Sequence, residues 1–337
     1  MRRVLPWITG VLAAVALAAL PGCASDPVDD RSSRPSATGS AASPAGSEPQ
    51  PVIDQDFPDP DVLLVAGTYY AYATQRSDNS RNVQVATSTD LSTWRVVPKD
   101  ALPELPSWAT SGRTWAPDVS AVGAGYVMYL TAWDADSNLQ CIGVATSSSP
   151  LGPFEPAADE PLLCPTGQGG AIDASTFEDE DDSRWLLWKN DGNCCGKPTW
   201  IHLQRLADDG LRTTGPARRL IREDQPWEGD LVEAPTLLRH GDSYLLFYSA
   251  NSYPGGDYAT GYAVADRLTG PYRKADDAFL TTDGTGVTGP GGQDVVETSQ
   301  GKTFLVLHGW DPALVYRGMY VLPLSWRDDR PVAPALN

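Results

Sequence analysis

Short aromatic and aliphatic runs recur along the chain at nearly even intervals. They occupy residues 69–72, 126–129, 185–188, 244–248 and 304–307, so their starts lie 57, 59, 59 and 60 positions apart. Turn-forming residues precede each run, and apolar and polar positions alternate with the period of two that is typical of strands. No segment shows convincing amphipathic helical periodicity. The pattern therefore predicts an all-β protein.

The length of the repeat indicates the architecture. A period of about 60 residues is too long for helical solenoids and suits a four-stranded antiparallel sheet with long loops. Five such units fill residues 51–337. We therefore expect a five-bladed β-propeller, with the sheets arranged around a common axis.

An acidic residue stands shortly before each aromatic run. These residues are Asp59, Asp118, Asp173, Glu233 and Asp294. Because the innermost strand of a blade begins at the axis, we expect the first four side chains to meet in one depression. Crowded carboxylates titrate at different pH values, as glycoside hydrolysis by an acid and a base requires. Calcium binding is the alternative function, but the alternating Asp, Asn and Gly residues of a calcium loop are missing around them.

Two tryptophans differ from the other aromatic residues. Most of the 11 tryptophans are expected in the core, because aromatic residues at repeat positions usually pack between strands. Trp108 and Trp115 instead lie in a polar segment with Gly and Pro, just before Asp118. We therefore predict that they form a wall on which sugar rings stack.

Four segments resemble, in order, the signature segments of glycoside hydrolase family 43. They are residues 56–61 (DFPDPD), 115–119 (WAPDV), 172–175 (IDAS) and 232–235 (VEAP). The resemblance covers the chain after residue 50, and it implies a five-bladed propeller and an inverting mechanism that needs no cofactor. It also implies that Asp59 is the general base and Glu233 the general acid. Asp173 would orient the acid and raise its pKa.

The resemblance extends to the fifth unit. His308 matches an axial histidine beside a bound cation, so a structural calcium ion near His308 is one expectation. Arg317 matches an arginine that reaches substrate hydroxyls or the acids. The predicted substrate-binding residues are thus Trp115, Asp118, Arg317, Phe57 and Trp108. The chain departs from the family pattern at Ala174 and Gly292, where many relatives have proline and histidine, and Gly292 leaves the axial contacts of the last blade open.

The N-terminal segment resembles a lipoprotein signal. Arg2 and Arg3 precede an apolar stretch at residues 8–20, and residues 20–23 (LPGC) resemble a lipobox, so we expect a signal peptide over residues 1–23 and a lipid on Cys23. Conventional cleavage nearby is the alternative. The composition of residues 24–50, which are rich in Ser, Pro, Ala and Gly, predicts a disordered linker. The protein is thus expected outside the cell, held at the membrane only by its lipid.

The net charge excludes some classes of binding partner, and the cysteines indicate the disulfide bonds. A formal net charge of −18 makes nucleic acid and anionic membrane surfaces poor partners. In an oxidising compartment we favour a Cys141–Cys164 disulfide, because both cysteines flank one loop-rich segment. Cys194 and Cys195 form either a vicinal disulfide or two free thiols.

The sequence as a whole predicts a secreted, monomeric, inverting glycosidase. Its expected substrates are oligo- or polysaccharides of the plant cell wall with α-L-arabinofuranosyl or β-D-xylosyl linkages, with a slight preference for arabinose. One alternative is a non-catalytic sugar-binding propeller lipoprotein, and another is a related furanosidase acting on fructan or galactan. The segment at residues 190–196 (NDGNCCG) has no assigned role and is expected in a loop near the mouth of the site.

Overall fold

Twenty strands form five antiparallel sheets, each built from four strands that follow one another in chain order. This confirms the five-bladed β-propeller predicted from the repeat. The structure is a computed structural model that describes residues 49–334. The predicted signal peptide, Cys23 and nearly all of the predicted linker lie outside the described residues.

The strands of each blade are numbered from the axis outwards. Blade 1 contains β1 (Asp61–Val65), β2 (Thr68–Ala73), β3 (Gln84–Ser88) and β4 (Arg95–Val96). Blade 2 contains β5 (Ala109–Val122), β6 (Gly125–Asp134), β7 (Leu139–Ser147) and β8 (Glu155–Pro156). Blade 3 contains β9 (Ala171–Glu178), β10 (Arg184–Asn190), β11 (Trp200–Leu206) and β12 (Thr213–Arg222). The chain visits the five blades in sequence order.

The last two blades follow the same plan. Blade 4 contains β13 (Val232–His240), β14 (Ser243–Ala250), β15 (Ala259–Ala265) and β16 (Arg273–Lys274). Blade 5 contains β17 (Thr288–Glu297), β18 (Thr303–Trp310), β19 (Arg317–Arg327) and β20 (Arg330–Val332). In the described residues, helical structure is limited to α1 (Thr282–Thr285) and the 3₁₀ turns Thr166–Gln168, Gly192–Cys195 and Pro226–Glu228.

The core consists of five apolar clusters, and each lies between two neighbouring blades. Both faces of a blade are therefore covered, which explains why the second strands read as nearly continuous apolar runs. Tyr72, Tyr129 and Tyr248 on these strands are fully buried. Each large apolar side chain buried in this way stabilises the fold by about 1.5–3 kcal/mol.

Residues 53–57, which precede β1, close the ring of blades. Ile53 pairs with Met319 of β19, and the N–H of Phe57 donates to the carbonyl of Arg317 over 2.9 Å. Phe57 is fully buried in the cluster that joins blades 1 and 5. The structure thus places Phe57 in the core, which corrects the prediction that it contacts substrate.

The same backbone distortion recurs at the inner strand of every blade. A residue with positive φ stands there in each case: Asp59 (54°), Ala116 (40°), Asp173 (55°), Ala234 (48°) and Gly292 (56°). In blades 2 to 5 the pairing register shifts at this point. Such bulges redirect side chains and are frequent beside active sites. Asp59 and Asp173 occupy this positive-φ position, of which only Asp173 lies at a register shift, and Glu233 directly precedes the positive-φ residue Ala234.

All four cysteines of the described range are bonded. The expected Cys141–Cys164 disulfide is present. For the second pair, which the sequence left open, the structure has a vicinal disulfide between Cys194 and Cys195. In residues 49–334, no helix has the length and apolar character needed to cross a membrane.

Candidate active site

A pocket with a volume of about 470 Å³ lies at the bulges of the inner strands. Of the four acids expected to meet in one depression, Asp59, Asp173 and Glu233 line this pocket together, and Asp118 does not. Trp115 and Arg317 also line it. The structure therefore brings five of the nine predicted site residues to one cavity.

Asp59 is held in its ionised form by its neighbours. Its Oδ1 lies 3.2 Å from Nη1 of Arg317 and 3.1 Å from Nδ1 of His308, and the hydroxyl of Thr74 donates to Oδ2 over 2.7 Å. Burial by itself would raise the pKa of Asp59, but Arg317 and His308 outweigh it and hold that pKa well below its usual range. A carboxylate that stays ionised is suited to accept a proton from water.

Glu233 receives a hydrogen bond on each carboxylate oxygen. Nζ of Lys189 lies 3.0 Å from Oε2, and the hydroxyl of Tyr258 donates to Oε1 over 2.8 Å. Lys189 comes from β10 of blade 3, Tyr258 directly precedes β15, and Glu233 lies on β13. Contacts from two blades thus fix the orientation of this side chain.

Asp173 retains a proton more readily than an ordinary aspartate. Burial and the negative charge of Glu233 raise the pKa of Asp173 to about 7, although Lys189 opposes the rise. Its Oδ2 accepts the N–H of Ala234 over 2.9 Å, which links it to the residue next to Glu233. This pair of carboxyl groups can therefore hold a proton near neutral pH, whereas Asp59 cannot.

Asp118 does not line this pocket. It lines a narrow cavity of about 40 Å³ along the axis, together with Asp61 and Asp294, and Asp59 and Asp173 border this cavity as well as the larger pocket. Its Oδ2 accepts the N–H of Thr176 over 2.9 Å and its Oδ1 accepts the Thr176 hydroxyl over 2.8 Å. Asp118 therefore connects blade 2 to blade 3, and the prediction that it binds substrate is corrected.

The two other axial carboxylates connect blades in the same way. Asp61 accepts the N–H of Val119, and Asp294 accepts the N–H of Val62, each over 2.9 Å. Burial raises the pKa of Asp118 to about 6 and that of Asp294 to about 7. Burial and then the charges of the other two raise the pKa of Asp61 well above its usual range. We call Asp61, Asp118 and Asp294 the axial group, and Asp59, Asp173 and Glu233 the pocket group.

The two tryptophans predicted to stack on sugar lie in different surroundings. Trp115 lines the pocket. Trp108 is partly buried and packs against the cluster between blades 1 and 2, with its ring so close to Gly143 that a Cβ there would come within 2.8 Å of it. The structure therefore retains Trp115 as a candidate sugar contact and places Trp108 against the core and outside the pocket.

His308 is fully buried behind Asp59. Its Nδ1 contacts the carboxylate and the backbone nitrogen of Asp59, and its Nε2 lies 3.5 Å from Nη1 of Arg317. Burial lowers the pKa of His308, and the Arg317 charge lowers it further. One nitrogen of His308 thus faces Asp59 and the other faces a guanidinium, and the expected calcium ion near His308, bound through waters, stays a prediction.

Away from the pocket, residues 49–334 contain one group of potential metal ligands. It consists of Asp134, Cys141 and Cys164. The two cysteines are bonded to each other, so they offer no thiolates to an ion.

Gly292 explains a departure from the family pattern. A Cβ at this position would lie 2.5 Å from Nδ1 of His308 and 2.8 Å from Oδ1 of Asp59, and its φ is 56°. A side chain here would push the imidazole away from the carboxylate. The glycine therefore makes room for the contact between His308 and Asp59.

Lys189 was not singled out from the sequence, although it contacts Glu233 directly. It stands at the end of the apolar run in β10 and just before the unassigned segment at residues 190–196. A lysine that follows a buried apolar run was the available signal. Asp191, Asn193 and Cys194 of that segment line the pocket, which places the segment at the site.

Comparison with known proteins agrees with this geometry. The family model of the glycosyl hydrolases family 43 matches residues 49–331. The chain is 29% identical over 289 residues to the β-D-galactofuranosidase xynD of Aspergillus niger, covering 80% of this chain and 76% of that protein. It is 27% identical over 275 residues to the extracellular endo-α-(1→5)-L-arabinanase 1 of Bacillus subtilis, covering 75% and 80% of the two chains.

A solved structure shows the same architecture. The crystal structure of a thermostable family-43 glycoside hydrolase matches with a TM-score of 0.76 and 29% identity, over 86% of this chain and 97% of that chain. The fold and the pocket define a β-propeller glycosidase. The chain belongs to glycosyl hydrolases family 43, whose members in general need no cofactor for the chemistry.

Proposed function

We propose that the protein is a secreted, inverting glycosidase that cleaves α-L-arabinofuranosyl linkages, or β-D-xylosyl linkages, in plant cell-wall polysaccharides or oligosaccharides. The observation that carries the proposal is the unequal protonation of the pocket group. Asp59 is held ionised by Arg317 and His308, while burial and Glu233 keep a proton available at Asp173 near neutrality. An acid and a base thus face one cavity.

The reaction follows from these assignments. Asp59 accepts a proton from a water molecule while the water oxygen attacks the anomeric carbon from the side opposite the leaving group. The proton that the Asp173–Glu233 pair holds passes from Glu233 to the glycosidic oxygen as the bond between that oxygen and the anomeric carbon breaks, which leaves both carboxyl groups of the pair ionised. The product sugar therefore has the opposite anomeric configuration, as in glycosidases that hold a water between two carboxyl groups.

Other side chains of the pocket would orient the substrate. Trp115 and Tyr253 line the pocket, and aromatic rings of this kind offer flat apolar faces to sugar rings. Cζ of Arg317 lies 5.1 Å from the centre of the Tyr253 ring, which places its guanidinium between Asp59 and the aromatic wall. Its remaining N–H groups would donate to sugar hydroxyls.

The choice of sugar rests on the relatives. One is named a β-D-galactofuranosidase and the other an arabinanase. The first of these names denotes action on a furanosyl ring, which supports α-L-arabinofuranosyl ahead of β-D-xylosyl linkages. It also keeps a related furanosidase activity as the second candidate, with galactofuranosyl linkages as the form to test.

Location and assembly belong to the same proposal. The curated arabinanase is named extracellular, and the N-terminal sequence of this chain resembles a lipoprotein signal. We propose that the enzyme acts outside the cell as a monomer, with a lipid on Cys23 as its only attachment to the membrane.

A purely sugar-binding propeller is the weaker alternative. Binding alone would not require an ionised aspartate beside two carboxyl groups that hold a proton. The hydrogen bonds and ion pairs that fix Asp59 and Glu233 favour catalysis.

The test is hydrolysis of arabino-oligosaccharides, xylo-oligosaccharides and galactofuranosyl substrates by the full-length protein and by Asp59→Asn, with the product anomer followed by proton NMR. Cleavage of one series to the inverted anomer, lost in the variant, is the expected result. Retention of configuration would contradict the mechanism. Binding without cleavage of any series would favour the sugar-binding alternative.

A further inference from the structure

Lys189 places a positive charge in the interior of the site. Its side chain is completely buried, and an ammonium group in such a position is costly unless acceptors surround it. Nζ lies 3.0 Å from Oε2 of Glu233, 2.7 Å from Oδ1 of Asn193 and 3.7 Å from Oδ1 of Asp191. Every one of these partners lines the pocket.

These contacts join the acid to one wall of the pocket. Asn193 belongs to the 3₁₀ turn Gly192–Cys195, which also contains the vicinal disulfide. Cys194 of that turn lines the pocket as well. A single ammonium group therefore fixes both the carboxylate of Glu233 and the turn that borders it.

The charges around Lys189 come from every element packed against it. Three carboxyl groups lie around it: Glu233 on β13, Asp173 on β9 and Asp191, which directly follows β10. Burial would lower the pKa of Lys189, but these three groups outweigh it and raise the pKa. The hydroxyl of Tyr258 completes the contacts of Glu233.

A lysine beside a general acid creates a conflict. Its positive charge favours the ionised carboxylate, whereas the acid must hold a proton until the glycosidic bond breaks. Burial and the repulsion between Asp173 and Glu233 act in the opposite direction. An acid works best when its pKa is close to the working pH, so the balance between these effects decides the pH range of activity.

We propose that Lys189 is a positioning residue that fixes Glu233 through Oε2 and sets the upper pH limit at which the Asp173–Glu233 pair retains its proton. Asp191 acts in the opposite sense, because its negative charge favours retention of that proton. The proposal rests on the proposed function insofar as Glu233 is the acid.

The experiment compares the pH profiles of kcat/KM for the unaltered protein and three variants. Lys189→Met removes the charge and keeps an unbranched side chain, so the upper limb should move to higher pH by about 1–3 units. Asp191→Asn should move it to lower pH. Asn193→Ala removes a hydrogen bond of Lys189 without changing any charge, and it should leave the limb in place.

A purely structural role for Lys189 would lower activity or stability without moving the limb. Unchanged limbs in Lys189→Met and Asp191→Asn, or shifts in the same direction, would overturn the proposal. If Lys189→Met does not fold, Asp191→Asn carries the test. Lys189→Arg is then the control, because it keeps the positive charge and should leave the upper limb of the pH profile where it is in the unaltered protein.

Titration of ¹³C-labelled aspartate and glutamate carboxyl groups by NMR, without substrate, separates this proposal from the proposed function. The carboxyl titration of the pair should shift in the same directions as the upper limb even if no tested sugar is cleaved. Absence of any shift in Asp191→Asn and Lys189→Met would contradict the role of Lys189, whatever the substrate.

Discussion

The propeller contains two groups of three carboxylates that differ in their partners. In the pocket group, Arg317 contacts Asp59 and Lys189 contacts Glu233, while Asp173 accepts the backbone N–H of Ala234 and is also influenced by the Lys189 charge. In the axial group, the acceptors receive backbone N–H groups from neighbouring blades. Within residues 49–334, no Lys or Arg charge lowers the pKa values of the axial group. The comparison teaches that a nearby Lys or Arg charge distinguishes the proposed catalytic carboxylates from those that only connect blades, since a backbone N–H reaches members of both groups.

The two groups occupy different positions in the repeat. Asp59 and Asp173 are the positive-φ residues of their blades and Glu233 directly precedes one, and their side chains reach the pocket. Asp61, Asp118 and Asp294 each stand two residues after a positive-φ residue, and their side chains connect blades along the axis. A shift of two or three positions thus separates the proposed catalytic role from a structural one.

The largest effect is expected for Asp59→Asn. An amide cannot accept the proton of the attacking water, so kcat/KM should fall by about 10²–10⁴-fold for every substrate. The loss should include aryl glycosides with good leaving groups, because water activation is needed whatever group departs. Steady-state kinetics on a natural oligosaccharide and an aryl glycoside checks this, and full activity on the aryl glycoside would refute the base assignment.

The variant Glu233→Gln should distinguish the two substrates. Natural linkages need protonation of the leaving oxygen, so their hydrolysis should fall by about 10²–10⁴-fold, whereas an aryl glycoside with a good leaving group should be much less affected. The same kinetic measurements apply, with Asp59→Asn as the reference. An equal loss on both substrates would show that Glu233 is not the acid.

In the axial group, Asp294→Asn should change stability and leave kcat/KM unaltered. The pKa of Asp294 is raised to about 7 in the folded protein, so its stabilising contribution is present below the ordinary aspartate pKa and is lost as the pH rises through 7. The variant should therefore match the parent near pH 4 and melt higher at pH 8. Each kcal/mol gained corresponds to a Tm increase of about 2–4 °C.

Thermal unfolding at both pH values provides the check, with Asp311→Asn as a control. Asp311 is a surface carboxylate whose pKa is lowered by backbone hydrogen bonds, so its replacement should not raise Tm at pH 8. The quantity compared is the Tm of Asp294→Asn minus the Tm of the parent at the same pH. A smaller difference at pH 8 than at pH 4 would contradict the expected sign.

The smallest effect is expected for Asp118→Asn. The amide oxygen can still accept one of the two hydrogen bonds from Thr176, so about one bond worth 0.5–1.5 kcal/mol is lost. Relief of the buried charge above pH 6 partly offsets this loss. Tm should change by only a few degrees while KM stays constant, and a large rise in KM would return Asp118 to the substrate site.

The sequence predicts the fold and the pocket acids because both depend on regular features. The repeat of about 60 residues determines the blades, and the motifs around Asp59, Asp173 and Glu233 identify the acids. Which side chains face the pocket depends on the bulges and on packing between blades. That is why Asp118 and Trp108 were misplaced.

Phe57 and Lys189 show the same limit from opposite sides. Phe57 lies two residues before the proposed base Asp59, yet ring closure between blades 1 and 5 buries it. Lys189 lies 44 positions from Glu233 in the sequence, and only the adjacency of blades 3 and 4 brings them together. Contacts of this kind come from tertiary packing, so the sequence alone does not specify the partner of either residue.

The most direct test compares Asp59→Asn with Asp61→Asn in one assay of kcat/KM on the cleaved oligosaccharide, with circular dichroism to verify folding. Both variants replace a partly buried aspartate in the segment where blade 1 begins. We expect Asp59→Asn to lose about 10²–10⁴-fold and Asp61→Asn to retain the activity of the parent. Equal loss in both folded variants, or an active Asp59→Asn, would contradict the separation into a catalytic and an axial group.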